Sequence, residues 1–199
     1  RNGGEGRVHS TTAAGDATRL AQSIDPASCD VVVAAGGDGT INEVANGLIG
    51  SPLPLAIIPL GTANVLAAEI GLAGDAASLA RTIQEAPASP IHMGVANGRH
   101  FLLTAGVGFD AEVVAAVTTR LKRWLGKTAY VMHLLGLLLR YDYPRFRLTI
   151  DGRTYDACSA IIAKGRFYAG RHMCAPDGGL GKPSFEVCLF TRSGPLAVL

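Results

Sequence analysis

The first half of the chain alternates short apolar runs with patterns typical of helices. Continuous apolar runs occupy residues 31–35 and 55–59. After the first run, apolar residues recur at positions 41, 44, 45 and 48, a spacing that predicts an amphipathic helix. Strands of this kind between helices indicate a parallel sheet covered on both faces. Helices are predicted at about 16–22, at 40–48, from 63 and from 75, with Asp16 and Asp75 as N-caps.

The pattern changes at residues 85–90, a Pro/Ala/Ser stretch that is typical of a linker. Farther on, Asn97-Gly98 and Asp151-Gly152 each separate two strand-like runs, and such pairs are strong local signals of β hairpins. The remaining predictions are helical segments at about 111–123 and 127–141, and a strand at 185–190.

These patterns predict an α/β fold with two domains. Residues 1–89 are expected to form a Rossmann-like domain with a parallel sheet, whose first strand would precede the chain. Residues 90–199 are expected to form a mostly antiparallel β-sandwich domain with a helical insert, whose end would lie beyond residue 199.

Composition and charge narrow the function classes. The chain has 199 residues, 48% of them hydrophobic, which is enough for a globular core. Its net charge is only +2 and its basic residues form no run, so we predict no nucleic-acid partner. The most apolar segment, 129–141, is shorter than the roughly 18–20 residues of a membrane span. The chain opens on no apolar leader, so a cytoplasmic protein is predicted, and its four cysteines are expected to be reduced thiols.

Candidate chemistry begins at AAGGDGTINEV, residues 34–44. Glycines between a strand and a helix let backbone N–H groups approach an anion, and the helix N-terminus favours negative charge, so a phosphate is the expected ligand. Asp38 would repel a phosphate unless a cation lay between them, which favours Mg²⁺. The alternative, a tight turn in which backbone amides bind Asp38, stays open.

A second turn of the same design follows one unit later, in PLGTANVLA, residues 59–67. Here Gly61, Thr62 and Asn64 lie where the chain leaves the next strand. Ligands of open α/β sheets bind at the carboxyl ends of strands, so the two neighbouring turns predict one crevice.

The chain resembles the diacylglycerol kinase catalytic-domain family of lipid kinases in four segments. These are GGDGTINEV, PLGTANVLA, GVGFDA (106–111) and TTAAGDATRLA (11–21). The resemblance implies ATP and Mg²⁺ as cofactors and a lipid substrate at the inner membrane surface, with a homodimer left open. It also implies Asp38 and Asp110 as catalytic and metal residues. The implied ATP-binding residues are Thr11, Gly36, Gly37, Asp38, Gly39, Thr40, Ile41, Asn42, Gly61, Thr62 and Asn64.

Three positions depart from the family's pattern. Lys182 falls where the family has an aspartate that helps to bind Mg²⁺, and Lys164 replaces an asparagine. A lysine cannot bind Mg²⁺, so three alternatives stay open: this metal site is absent, residues are missing from the stretch, or Asp177 or Glu186 compensates. The family's general base lies in a later Asp-Gly-Glu turn, which is expected beyond residue 199.

The leading hypothesis is transfer of the γ-phosphate of Mg·ATP to a lipid hydroxyl, on diacylglycerol, phosphatidylglycerol or a sphingoid base. The lipid is expected to enter between the domains, with its tail on segment 129–141, including Leu134 and Leu138; an ordinary core helix is the alternative. Lys164 and neighbouring basic residues are candidates for headgroup contact or for a solvated loop. The rival functions are a nucleotide- or lipid-binding module without turnover and an NAD-kinase-like enzyme.

Overall fold

The computed structural model describes residues 5–72, 74–117, 136–138 and 140–194. Contacts divide the chain into two compact units, Arg1–Leu103 with Phe167–Met173, and Thr104–Arg166 with Cys174–Leu199. Each unit is described by itself below. The boundary near residue 89 stays a prediction.

Two parallel strands form the sheet of the first unit, β1 (Val32–Gly36) and β2 (Leu55–Pro59). Their register pairs Val32 with Leu55 and Gly36 with Pro59. Parallel strands need a crossover, which here contains a helix. The helices are α1 (Asp16–Gln22), α2 (Asp38–Gly47), α3 (Val65–Glu69) and α4 (Ala76–Glu85), with a 3-10 turn at Pro26–Ser28.

Helices α1 and α2 pack closely because a glycine lies at their contact. A Cβ atom at Gly47 would lie 2.5 Å from the Thr18 carbonyl oxygen and 2.6 Å from Ala21 Cβ. The hydroxyl of Thr18 also donates to the Glu43 carbonyl oxygen at 3.0 Å. Ala21 and Ile41 are buried. This packing fixes α2, and therefore its N-terminus, against α1.

Helix caps confirm one prediction and correct another. Asp75 caps α4, accepting a hydrogen bond from the Ser78 amide at 2.9 Å. Asp16, predicted as a cap, is instead the first residue of α1; the capping residue is Gly15, with φ 87°. The Asp16 carboxylate accepts hydrogen bonds from amides of the turn before the helix and not from amides of the helix itself.

Both predicted hairpins are confirmed. Strands β3 (Gly94–Ala96) and β4 (Arg99–Phe101) flank Asn97 and Gly98, whose φ angles are 49° and 77°. Strands β6 (Phe146–Ile150) and β7 (Arg153–Ala157) flank Asp151 and Gly152, with the same angles. Two positive φ angles in succession define the type I′ turn that these residue pairs favour.

Antiparallel strands build the second unit, as predicted. Strand β8 (Ser159–Ala163) lies between β5 (Thr104–Gly108) and β11 (Glu186–Phe190). Helix α5 (Phe109–Val117) begins two residues earlier than predicted. Strands β9 (Phe167–Tyr168) and β10 (His172–Met173) pair with each other and belong to the first unit. The sandwich arrangement stays a prediction.

The hydrophobic core of the second unit decides between the two roles predicted for Leu138, lipid contact and ordinary core. This side chain is buried with Phe109, Tyr143 and Cys158, and the Tyr143 hydroxyl donates to the Leu138 carbonyl oxygen at 2.7 Å. Leu138 is therefore a core residue and does not face a lipid tail. Leu134 and most of the predicted lipid-contacting helix lie outside the described residues.

Candidate functional site

The first glycine turn leads from β1 into α2, and its backbone approaches the neighbouring segments closely. A Cβ atom at Gly36 would lie 2.8 Å from Thr40 Cβ, so the Thr40 side chain packs over this glycine. At Gly39, by contrast, an added Cβ would meet no atom within 4 Å. The first N–H groups of a helix lack intrahelical partners. The start of α2 therefore offers unpaired donors beside open space, as an anion site requires.

The second glycine turn follows β2 and touches the first. A Cβ atom at Gly61 would lie 2.6 Å from Gly37 Cα. Asn64, with φ 48°, closes this turn: its Oδ1 accepts from the Gly61 amide at 2.8 Å, and its Nδ2 donates to the Gly61 carbonyl oxygen at 3.0 Å. The structure thus brings the two predicted turns together, because β1 and β2 are adjacent and parallel.

Asp38 connects the two turns directly. Its two carboxylate oxygens accept hydrogen bonds from the amides of Val65 and Leu66, at 3.1 and 3.0 Å. These are the first two residues of α3, so the carboxylate satisfies donors that the helix leaves unpaired. This is the alternative that the sequence left open. Each carboxylate oxygen can accept a second hydrogen bond or a cation, so the contact leaves room for a metal ligand role.

A third loop precedes α1 and contains Thr11. The Asp16 carboxylate accepts from the amides of Thr12 and Ala13 and from the Thr12 hydroxyl, each at 2.9 Å, and it pairs with Arg19. These bonds hold the pKa of Asp16 far below its ordinary value, the Thr12 amide contributing most. Thr11 itself is exposed. Asp16 therefore organises the loop on which a predicted nucleotide contact lies.

Other predicted ATP-binding residues have different surroundings. Ile41 is fully buried in the core, so only its backbone is available to a ligand. The Asn42 side chain accepts from the Leu102 amide at 3.2 Å and donates to the His100 carbonyl oxygen at 3.3 Å. Thr62 is exposed in the second turn. For its side chain to contact a nucleotide, Asn42 would have to break these hydrogen bonds to His100 and Leu102.

Sequence reasoning missed Asn46, which lies one helical turn after Asn42. Its Oδ1 accepts from the His100 amide at 3.1 Å, and its Nδ2 donates to the His100 carbonyl oxygen at 2.9 Å. The spacing of four residues places both asparagines on one face of α2. This four-residue spacing was the sequence signal that could have identified Asn46. The pair fixes α2 to the hairpin of β3 and β4.

Two cavities lie beside α1, of about 400 and 420 Å³. Arg19 lines both of them. Arg99 and Glu43 lie in the first and Thr12 and Asp16 in the second. Neither cavity contains a glycine of the two turns.

Asp110 lies in the second unit, in the first turn of α5, and is 7% exposed. Its amide donates to Ser159 Oγ at 3.3 Å, and that hydroxyl donates to the Val107 carbonyl oxygen at 3.0 Å. A Cβ atom at Gly106 would lie 1.8 Å from Asp110 Oδ2, so only glycine leaves room for this carboxylate. Within the described ranges no group of three His, Cys, Asp or Glu side chains could hold a metal.

Lys164 does not occupy the position expected of a headgroup ligand. It is only 1% exposed, so its ammonium lies inside the second unit and not on a solvated loop. Lys182, Arg166 and Arg171 are exposed. Among the described residues, none of the helices combines the length and the apolar character that crossing a bilayer requires.

Known proteins are similar to this chain in sequence and in fold. Residues 2–96 match the family described as diacylglycerol kinase catalytic domain. The chain is 33% identical to a diacylglycerol kinase of Bacillus subtilis (strain 168), covering 96% of this chain and 65% of that protein. It is 32% identical to a probable lipid kinase, YegS-like, of Klebsiella pneumoniae (strain 342), covering 92% and 64%.

A solved structure of a diacylglycerol kinase from Bacillus anthracis str. Sterne is also similar, with a TM-score of 0.69 and 28% identity over 94% of this chain and 63% of that one. The chain therefore spans less than two thirds of the length of each of these relatives.

Proposed function

We propose that this chain, whose residues 2–96 match the diacylglycerol kinase catalytic domain family, is part of an ATP-dependent lipid kinase. The contact between the two glycine turns carries this proposal. Two turns that meet at the carboxyl ends of parallel strands, one of them opening a helix, form the type of cradle that binds a phosphate chain.

In this proposal the nucleotide enters as Mg·ATP and its phosphates lie over the start of α2. The amides there donate to phosphate oxygens, and Gly39 leaves open space for the phosphates, while Gly36 and Gly37 allow the close approach of Thr40 and Gly61. Gly61, Thr62 and Asn64 form the opposite wall, and Thr11 contacts the nucleotide from the loop before α1. Mg²⁺ would supply charge neutralisation of the phosphates, with Asp38 as its candidate carboxylate ligand in the first unit. Asp110, in the second unit, stays a metal residue that the resemblance alone implies.

The reaction exchanges one phosphorus–oxygen bond for another. The lipid hydroxyl oxygen bonds to the γ-phosphorus, the bond to ADP breaks, and the hydroxyl proton passes to the general base that the resemblance implies in an Asp-Gly-Glu turn. The described side chains contribute by binding and orienting the phosphates, and positioning of this kind supplies most of the catalysis in phosphoryl transfer. Asp38 has a second role, since it holds the start of α3 against the first turn.

The test is transfer of labelled γ-phosphate from Mg·ATP to diacylglycerol, phosphatidylglycerol and sphingosine in mixed micelles, with the full gene product. Gly39→Ala is the informative variant, because its added methyl group meets no protein atom but would enter the proposed phosphate site. Gly74→Ala is the matched control, since its methyl group also meets nothing within 4 Å. We expect Gly39→Ala to lose at least roughly tenfold in ATP affinity, equivalent to one hydrogen bond to a charged group, and Gly74→Ala to lose nothing.

Equal activity and ATP affinity in the two variants would contradict the phosphate cradle. An Asp38 substitution is a poorer first test, because it also removes hydrogen bonds from the start of α3.

A binding module without turnover is the second candidate function. Its support is that both oxygens of Asp38 already accept backbone hydrogen bonds, as in a purely structural turn. ATP affinity measured by calorimetry, together with no labelled lipid, would favour this candidate. NAD as acceptor in the same assay tests the NAD-kinase-like alternative.

The lipid, the membrane surface and the oligomer are further proposals. The family members named above are lipid kinases, and we infer a peripheral encounter with the inner membrane surface. Sedimentation of the protein with vesicles of phosphatidylglycerol tests the encounter, and light scattering of the free protein tests the homodimer.

A further inference from the structure

Lys164 is a buried lysine whose partners are all backbone carbonyl groups. It directly follows β8 and is 1% exposed. Its Nζ donates to the carbonyl oxygens of Gly179 at 3.5 Å, of Ser184 at 3.0 Å and of Lys182. The ring of Phe185 lies 5.8 Å from the same nitrogen and adds a cation–π contact. No carboxylate is among these partners.

Three acceptors around one nitrogen match the charged form of lysine. An ammonium carries three N–H donors, whereas a neutral amine has two and would turn its lone pair toward a carbonyl oxygen. Burial lowers the pKa of Lys164 from its ordinary value, because the charged form loses its hydration. The three carbonyl dipoles act in the opposite direction. Carbonyl oxygens that converge on one positive charge are also the arrangement that binds hard metal cations.

The segment that supplies these carbonyls is tied to the same lysine through the backbone. The Gly179 amide donates to the Lys164 carbonyl oxygen at 2.9 Å, and the Lys182 amide donates to the Gly179 carbonyl oxygen at 3.0 Å. The side chain of Lys182 is exposed, and its own ammonium donates to the Asp177 carbonyl oxygen at 2.6 Å. Lys164 therefore lies inside residues 179–184, and Lys182 lies on the outside.

A metal ion does not fit this segment. The resemblance implies an aspartate that helps to bind Mg²⁺ at the position where this chain has Lys182. The structure places an ammonium among the converging oxygens, and in the described part of the chain no group of three potential metal-binding side chains occurs. Asp177 and Glu186, the candidate compensating acids, therefore belong to no such group among the described residues.

We propose that the Lys164 ammonium is the internal cation around which residues 179–184 close, so that this loop takes up no metal ion. The inference uses contacts of the second unit alone and does not depend on the kinase proposal. A protein built this way keeps the loop ordered whatever the concentration of free Mg²⁺.

The first test uses the unaltered protein without nucleotide. After desalting, elemental analysis should find bound Mg²⁺ and Ca²⁺ far below one ion per chain. The melting temperature should be the same in EDTA and in millimolar MgCl₂. One ion retained per chain, or a melting temperature that falls in EDTA, would overturn the proposal.

The second test compares Lys164→Met with Lys182→Met. Both changes remove one ammonium and keep a long side chain, but only the first removes the donor that the carbonyl oxygens of Lys182 and Ser184 share. We expect Lys164→Met to lower the melting temperature by about 5 °C or more and Lys182→Met by about 2 °C or less. Hydrogen exchange of peptides covering residues 176–186 should accelerate roughly tenfold or more in Lys164→Met alone.

Equal melting temperatures and exchange rates in the two variants would show that the ammonium does not organise the loop. If Lys164→Met fails to fold, Lys164→Gln provides the same comparison, since its amide retains two N–H donors without the charge. Intermediate exchange rates in Lys164→Gln would support the proposal, and rates equal to those of the unaltered protein would contradict it.

Discussion

Replacing Gly61 by alanine tests whether the two glycine turns are in contact. The new Cβ would lie 2.6 Å from Gly37 Cα and 2.8 Å from Asn64 Oδ1, both well inside van der Waals contact. The first neighbour is backbone and cannot rotate away. The second can move only by breaking its hydrogen bonds to the Gly61 amide and carbonyl group. The substitution must therefore separate the turns or open the Asn64 closure.

The expected cost follows from these two neighbours. Overpacking of a tight contact costs about 1–3 kcal/mol, and loss of one Asn64 hydrogen bond adds about 1 kcal/mol. Alanine offsets about 0.4–1 kcal/mol of this loss, because it lowers the conformational entropy of the unfolded chain relative to glycine. The net loss of unfolding free energy is about 1–3.5 kcal/mol, which lowers the melting temperature by roughly 2–14 °C for a chain of this size.

Thermal and urea unfolding followed by circular dichroism measures this loss. Gly39→Ala is the control, because its Cβ meets no atom within 4 Å and alanine favours a helix over glycine by about 0.5–1 kcal/mol. We expect Gly39→Ala to be as stable as the unaltered protein or more stable. A Gly61→Ala protein with an unchanged midpoint would refute the contact, and with it the single crevice on which the nucleotide site rests.

Further predictions concern the helix, the first loop and the aromatic core. Asn46→Ala removes both hydrogen bonds to His100 and should cost about 1–3 kcal/mol in urea unfolding; an unchanged midpoint would contradict the fixation of α2 to β4. Asp16→Asn weakens the acceptor of the Thr12 and Ala13 amides, so calorimetry should show weaker ATP binding with little change in melting temperature. Burial raises the pKa of Tyr143, so unfolding free energy should fall as pH rises above about 10, because the unfolded tyrosine ionises first. Tyr143→Phe should reduce that alkaline loss, and identical pH profiles would refute the assignment.

Much of the fold was readable from local patterns. The strand over 55–59 has the predicted bounds, and both hairpins turn at the predicted residue pairs, because a type I′ turn depends on the two residues that adopt positive φ. Helix α4 begins after its predicted cap at Asp75. Such signals involve neighbours within four residues, so no tertiary contact was needed to recognise them.

The contacts that the sequence left open or missed are those whose partners lie far along the chain. Asp38 binds amides 27 and 28 residues away, and Asn46 binds a residue 54 positions away. Leu138 was placed on a lipid surface because its segment is apolar, but apolar character alone does not distinguish a core from an exposed face. A polar side chain beside a glycine turn likewise has several candidate partners until the elements pack.

The sequence by itself determined the strand and turn pattern, the two glycine turns and the resemblance to lipid kinases, because these depend on local backbone preference and on motif order. Only the tertiary structure decided that the turns touch at Gly37 and Gly61, that Asp38 holds the start of α3, and that Lys164 is buried among carbonyl oxygens. The physical reason is that a buried charge or carboxylate is stable only where specific donors or acceptors converge on it, and that convergence is set by packing between distant segments.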